Sequence, residues 1–168
     1  MIIIGLASDN NFDPKTYSKE ICKIKQLQGK TIDQEVYYKK IAKDLLKKEG
    51  FKKITEGPST SQIKGVPFDF VAQKDGVCSL IELKGSLSSF NFPDKVQYAR
   101  LYRLITELKY KKIKHNIFLL QINLRVFRYR IRDKEFFNEK PFKIIDKSLG
   151  LDYPVSNIVK YIIKNCEK

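Results

Sequence analysis

Apolar positions recur at helical spacing in four segments of the chain. The clearest segment begins with Thr31 and Gln34, which have the spacing of a capping box, and ends at Gly50. Its apolar stripe runs from Ile32 to Leu46 and predicts a helix that packs one face against a core. The other helical patterns cover residues 17–28, 93 to about 109, and 156–164.

Extended spacing dominates the segments between these helices. A short strand is expected at 51–54, and residues 66–72 and 78–84 are expected to pair as a hairpin around an Asp-Gly dipeptide. The apolar run 116–124 predicts a strand buried on both faces, and 125–132 alternates apolar residues with arginine. This order of elements predicts an α/β fold with a mixed central β-sheet flanked by helices.

Length and composition restrict the class of protein. The chain has 168 residues, which suits a single domain over 1–168, and 42% of them are hydrophobic. Because no apolar run approaches membrane-spanning length and no basic residue precedes the apolar N-terminus, we expect no membrane association and a cytoplasmic location. With one histidine and three separated cysteines, a disulfide scaffold and a zinc site are disfavoured, and a reducing compartment is expected.

The charge of the chain points to a polyanion as partner. The formal net charge is +14, and most of the excess lies between Lys95 and Arg132, where Glu107 is the only acidic residue. Arginines on one strand face repel each other unless an anion lies between them, which favours a phosphate-binding surface. The candidate nucleic-acid-binding residues are Lys39, Lys43, Arg100, Arg103, Arg128, Arg130 and Arg132, with Ser59 and Ser61 in a polar loop.

Two carboxylates are expected to meet in the hairpin. Asp69 lies in the first strand and Glu82 in the second, so pairing of the strands can bring them side by side. Two close carboxylates repel unless a cation lies between them, and Mg²⁺ or Mn²⁺ suits oxygen ligands of this kind. Lys84 shares a strand face with Glu82 and could orient a water or offset transition-state charge.

Two further polar residues fall on apolar helix faces. By periodicity, Glu35 lies within the apolar stripe of the first strong helix, where an unpaired carboxylate is costly. Alternatively, Glu35 is a boundary residue that pairs with Lys39. Gln97 shares a face with the leucines of the second strong helix, and so is also expected to point inward.

These residues resemble the motifs of a known nuclease family. Glu35, Pro67-Phe68-Asp69, Glu82-Leu83-Lys84 and Gln97 resemble the PD-(D/E)XK nuclease superfamily, and the run up to Lys84 is similar to archaeal Holliday-junction resolvases. The resemblance implies a restriction-endonuclease-like fold with an αβββαβ core, placed here within residues 31–132. It also implies that metal ligands come from Asp69, Glu82, the carbonyl of Leu83 and Glu35.

The same resemblance implies the remaining catalytic roles. Lys84 would position or activate the attacking water, and Gln97 would orient Lys84 or the scissile phosphate. The expected function is a Mg²⁺- or Mn²⁺-dependent DNA endonuclease, with junction resolution slightly favoured over type II restriction cleavage. A homodimer is expected because each active site would cut one strand. The alternatives are a non-catalytic nucleic-acid-binding module and an RNA endonuclease on the same fold.

Overall fold

A computed structural model of the chain describes residues 9–57, 66–138 and 155–166. Within these residues a six-stranded mixed sheet is flanked by four α-helices, so the predicted α/β class with a mixed central sheet is confirmed. The strands are β1 Asn10–Asn11, β2 Lys52–Glu56, β3 Phe70–Lys74, β4 Val77–Ser86, β5 His115–Asn123 and β6 Arg128–Arg132. The helices are α1 Ser18–Gln26, α2 Thr31–Lys48, α3 Lys95–Tyr110 and α4 Ser156–Cys166, with a 3₁₀ helix at Lys134–Asn138.

The sheet has the strand order β1-β6-β5-β4-β3-β2. β4 and β5 run parallel, because α3 carries the chain back along the sheet between them, while the other neighbouring pairs are antiparallel. The β3–β4 hairpin turns at Asp75 and Gly76, which both have positive φ, so the turn predicted from the Asp-Gly dipeptide is confirmed. β3 begins at Phe70, four residues later than the sequence pattern predicts.

The two faces of the sheet carry separate cores. Ile81 and Leu83 of β4 point toward α1 and α2, and with Leu120 of β5 they join the core on that side. Leu80 of β4 and Leu119 of β5 point to the other face, where α3, α4 and the 3₁₀ helix pack. Side chains at 82 and 84 therefore belong to the α3 face of the sheet.

One prediction about local structure is wrong, and one covalent link was not predicted. Gln34 does not cap α2; it is buried, and its Nε2 donates to the carbonyl of Ile24 at 2.8 Å, which joins α1 to α2. Cys78 and Cys166 are bonded as a disulfide that links β4 to α4, with their Cα atoms 5.4 Å apart. The sequence argument failed here because an odd cysteine count with wide spacing still permits one bridge between elements that pack together.

Among the described residues, no helix is both long and apolar enough to cross a membrane.

Candidate active site

Strand register brings the two predicted carboxylates together. The paired register of β3 and β4 ends at Phe70 and Ile81, and the N–H of Asp69, just before β3, also donates to the carbonyl of Ile81 at 2.8 Å. Asp69 therefore lies beside the segment of β4 that carries Glu82. The two carboxyl groups are within hydrogen-bonding reach of each other. Asp69 Oδ2 also accepts a hydrogen bond from the N–H of Leu83 at 2.7 Å, which fixes the carboxylate at the end of β3.

Both carboxyl groups hold their protons more tightly than free carboxylic acids do. Burial raises the pKa of Asp69 from 3.8 to about 6, and the nearby Glu35 adds to the rise, although the Leu83 N–H opposes it. The pKa of Glu82 is raised well above its usual value. Burial is the main cause, and repulsion from the Asp69 carboxylate is the second. Two buried carboxyls with raised pKa values form a site that a proton or a cation stabilises.

Two lysines approach these carboxylates from different elements. Lys84 Nζ lies 3.6 Å from Glu82 Oε1, two residues along the same strand. Lys39 Nζ of α2 lies 3.9 Å from Asp69 Oδ1 and 3.4 Å from Glu35 Oε1. One cluster of charged side chains therefore lies at the end of the β3–β4 hairpin. It consists of Asp69, Glu82, Lys84, Lys39 and Glu35.

Glu35 belongs to the cluster, but not in the position the periodicity predicts. Its side chain is 49% exposed, whereas Gln34 occupies the buried face of α2. The alternative interpretation, a boundary carboxylate paired with Lys39, is the one the structure has. Glu35 acts on Asp69 and Glu82 through its charge, because it raises the pKa of both.

Gln97 is engaged at the start of α3. Asp94 caps the helix by accepting from the N–H of Gln97 at 2.8 Å, and Gln97 Oε1 accepts from the N–H of Asp94 at 3.1 Å. The predicted inward orientation toward the α3 leucines is therefore wrong, because the side chain folds back onto the cap. Only its amide NH₂ group is left for the predicted contact with a scissile phosphate.

The donor set suits a small hard cation with few protein ligands. Among the described residues, no three His, Cys, Asp or Glu side chains are arranged to hold a metal ion. Mg²⁺, however, is commonly held by one or two carboxylates while it keeps several waters, and Asp69 and Glu82 supply two. Strand geometry adds the Leu83 carbonyl, because the N–H of Leu83 points to Asp69 and the carbonyl of a strand residue points to the same side as its N–H.

Gly85 allows α2 to approach the site. A Cβ at Gly85 would lie 2.2 Å from Cδ1 of the Tyr38 ring, so only a residue without a side chain fits there. Tyr38 is buried next to Lys39 in sequence. Its packing against Gly85 brings Lys39 and Glu35 close to the end of the hairpin.

The arginines of β6 form the predicted stripe, and an internal anion partly neutralises it. Tyr129 is buried in the α2-side core, while Arg128 and Arg130 lie on the opposite face, so the predicted alternation is confirmed. Both arginines form ion pairs with Asp9, whose pKa is lowered chiefly by its hydrogen bond to Arg130. Sequence reasoning missed Asp9, because it is brought to β6 only by the pairing of the short strand β1, which begins at the next residue.

Aromatic side chains from the loop after β4 cover part of this stripe. The Arg130 guanidinium lies 3.9 Å from the centroid of the Phe90 ring, and that of Arg132 lies 5.2 Å from the Phe92 ring. Such contacts hold a planar guanidinium in place and leave its edge available to an anion. The arginine stripe is therefore ordered by residues that precede α3 as well as by Asp9.

The other predicted binding residues are dispersed. Lys43 on α2 and Arg100 and Arg103 on α3 are half-buried, and the two helices lie on opposite faces of the sheet. Lys43 therefore lies on the opposite side of the sheet from the β6 arginines, whereas Arg100 and Arg103 belong to the helix on the same side as those arginines. Ser59 and Ser61 lie outside the described residues.

The chain was compared with protein-family models, with curated proteins and with solved structures, and nothing matches it in any of the three comparisons.

Proposed function

We propose that the chain is a metal-dependent phosphodiester hydrolase of the PD-(D/E)XK type that cuts DNA. The observation that carries the proposal is the pair Asp69 and Glu82, two buried carboxyls within hydrogen-bonding reach of each other and beside the ammonium of Lys84. The element order α2, β2, β3, β4, α3, β5 supports it, because it reproduces the αβββαβ order of that fold. Mg²⁺ or Mn²⁺ is the proposed cofactor.

Asp69, Glu82 and the Leu83 carbonyl would hold the cation. When bound, it would supply Lewis acidity toward a phosphate oxygen and a bound water. The hydrogen bond from the Leu83 N–H keeps Asp69 Oδ2 fixed, so Oδ1 is the oxygen that faces the site and Lys39. Glu35 would contribute through Lys39 and through water, because its own side chain is half-exposed.

Lys84 would act on the attacking water. Hydrolysis requires a water that loses a proton as its oxygen bonds to phosphorus, while the bond to the leaving oxygen breaks and that oxygen gains a proton. The ammonium of Lys84 forms a salt bridge with Glu82 and can donate a hydrogen bond to this water or to a phosphate oxygen. Its charge would stabilise the negative charge that develops on the phosphate.

The basic surface supports a nucleic acid as substrate. The net charge of +14 and the arginine stripe of β6 favour a polyanion, and a hard-cation site favours a phosphate-containing one. We place structure-selective cleavage of DNA, including four-way junctions, ahead of type II restriction cleavage. Because one site cuts one strand, a homodimer would be the unit that cuts a duplex.

A non-catalytic nucleic-acid-binding module is the second candidate. The observation that favours it is that Lys39 and Lys84 already supply positive charge to Asp69 and Glu82 without a metal ion. On that view the cluster is a structural ion-pair network. The basic surface would then be the only functional part of the chain.

A cleavage assay separates the two candidates. Supercoiled plasmid, a four-way DNA junction and single-stranded RNA would each be incubated with Mg²⁺, Mn²⁺ or EDTA. We expect metal-dependent cutting of DNA that is lost in Glu82→Gln, while DNA binding and the exposed control Glu56→Gln stay at the wild-type level. Binding without cleavage of any substrate would support the module, and cleavage of RNA alone would reassign the substrate.

A further inference from the structure

Gln121 is a buried amide in the middle of the sheet, next to the candidate active site. It is fully buried on β5, and the parallel register pairs it with Lys84 of β4. Paired residues of neighbouring strands point to the same face, so the Gln121 and Lys84 side chains are neighbours on the α3 face. On its other side Gln121 pairs with Arg130 of β6.

The orientation of this amide is fixed by one hydrogen bond. Gln121 Nε2 donates to the carbonyl of Asn91 at 2.8 Å, and a carbonyl can only accept, so the nitrogen must face the loop that precedes α3. The oxygen Oε1 therefore faces the other way. It is buried without a hydrogen-bond partner among the described residues. An unsatisfied buried carbonyl oxygen costs about 1–3 kcal/mol, so a donor is expected to reach it.

Of the two cations that the strand register places beside Gln121, Lys84 is the one held by a single ion pair. The Arg130 guanidinium is already stacked on Phe90 and paired with Asp9. An ammonium carries three N–H donors, and Lys84 directs its charge toward Glu82 at 3.6 Å. Because the lysine side chain is flexible and its ammonium has three donors, it can serve both Glu82 and the amide oxygen.

We propose that Gln121 is the positioning residue for Lys84. Its Oε1 accepts a hydrogen bond from one ammonium N–H, directly or through one water, and Glu82 accepts a hydrogen bond from a second. The third N–H is then directed to the front of the site. This is the orienting role that the sequence assigned to Gln97, whose amide oxygen serves the α3 cap. The expected effect on catalysis rests on the proposed function, whereas the contact between Gln121 and Lys84 does not depend on it.

Kinetics of three variants test the role in catalysis. Gln121→Met removes the acceptor at similar volume, and we expect kcat to fall about 10-fold with little change in KM, as is typical of partners that orient a catalytic group. Gln121→Glu keeps an oxygen for Lys84 and should recover part of that loss. The double variant with Lys84→Met should be no slower than Lys84→Met alone, because the amide acts through the lysine. A purely structural role predicts losses that add.

A crystal structure of the wild-type protein tests the contact independently of activity. We expect Gln121 Oε1 within hydrogen-bonding distance of Lys84 Nζ, or joined to it by one water. An Oε1 bonded to Arg130 instead, or wild-type kcat in Gln121→Met, would overturn the inference. Absence of metal-dependent cleavage in the wild-type protein would overturn the proposed function, and the crystal structure would still decide the contact.

Discussion

The ring of Tyr38 occupies the space into which a side chain at Gly85 would project, and this relationship sets how closely α2 approaches β4. A Cβ at residue 85 would lie 2.2–2.6 Å from three ring carbons of Tyr38. Because these are carbons of a buried ring and not the end of a flexible chain, the ring and the helix would both have to shift. Lys39 and Glu35, on the same helix, would move with them.

Gly85→Ala should therefore lower the free energy of unfolding by about 1–3 kcal/mol, the usual cost of overpacking a core. Urea unfolding measures it. In a Tyr38→Ala background the same substitution should cost much less, because the clashing ring is gone. Equal costs in both backgrounds would show that Tyr38 is not what excludes a side chain at residue 85.

The raised pKa of Asp69 predicts a stability that falls as pH rises. Between pH 3.8 and about 6 the folded protein keeps a proton on Asp69 that the unfolded chain releases. The folded state then binds more protons, so its stability decreases through this window, and the raised pKa of Glu82 extends the decrease to higher pH. The contribution of Asp69 is at most about 3 kcal/mol at about 1.4 kcal/mol per pKa unit.

Asp69→Asn should consequently be more stable than the wild-type protein at pH 8 in EDTA, by about 1–3 kcal/mol, with the difference shrinking toward pH 4. The amide oxygen can still accept from the Leu83 N–H, so the fold is retained. Urea unfolding at several pH values measures this, with the exposed Asp44→Asn as the charge-matched control. A wild-type protein with a higher free energy of unfolding than Asp69→Asn at pH 8 would contradict the assigned electrostatics.

Lys84→Met should remove most of the cleavage activity and leave the fold intact. The Lys84 side chain is a quarter exposed and makes one ion pair, so the apolar replacement loses little packing. Loss of one preorganised charge at a reacting phosphate typically costs about 10²–10³ in kcat. The rate at which nicked DNA forms would be measured together with DNA binding, with exposed Lys19→Met as the control. Unchanged turnover would remove Lys84 from the mechanism.

Sequence patterns located the centre of the candidate site but not its periphery. The hairpin that brings Asp69 close to Glu82 follows from an Asp-Gly turn and from strand alternation, both of which are local signals. Periodicity puts Glu35 on the buried face of α2, where the structure has Gln34. The apolar stripe alone does not distinguish these two neighbours, because the choice depends on the hydrogen bond that Gln34 makes to α1. Which of two adjacent polar residues is buried is decided by tertiary contact.

Three of the pairings that no pattern indicated join residues distant in sequence. Asp9 reaches Arg130 through the pairing of β1 with β6, and Gln121 is set beside Lys84 by the parallel register of β4 and β5. The disulfide joins residues separated by 88 positions. Each depends on strand order, which alternation and helical periodicity do not specify.

The disulfide between Cys78 and Cys166 predicts a count of reactive thiols. The native protein, kept free of reductant, should present only the exposed Cys22 to a thiol reagent, and three thiols after reduction and unfolding. Reduction should lower the free energy of unfolding by about 2–4 kcal/mol, because it releases a long closed loop in the unfolded chain. Cys22→Ser is the control that should change only the thiol count. Three reactive thiols in the folded protein would contradict the bond.

The ion pairs of Asp9 predict opposite effects of two substitutions on DNA binding. Arg128→Ala combined with Arg130→Ala should weaken binding and reduce the slope of log K against log salt by about 2, one for each phosphate that the protein no longer neutralises. Asp9→Asn should strengthen binding at low salt, because its carboxylate competes with phosphate for both guanidinium groups. Fluorescence anisotropy with a labelled duplex over a salt series measures both. Lys52→Ala, an exposed charge on the strand at the opposite edge of the sheet, is the matched control and should leave the slope nearly unchanged. An unaltered slope in the double arginine variant would place the nucleic acid elsewhere, and weaker binding in Asp9→Asn would show that this carboxylate orders the arginines more than it competes for them.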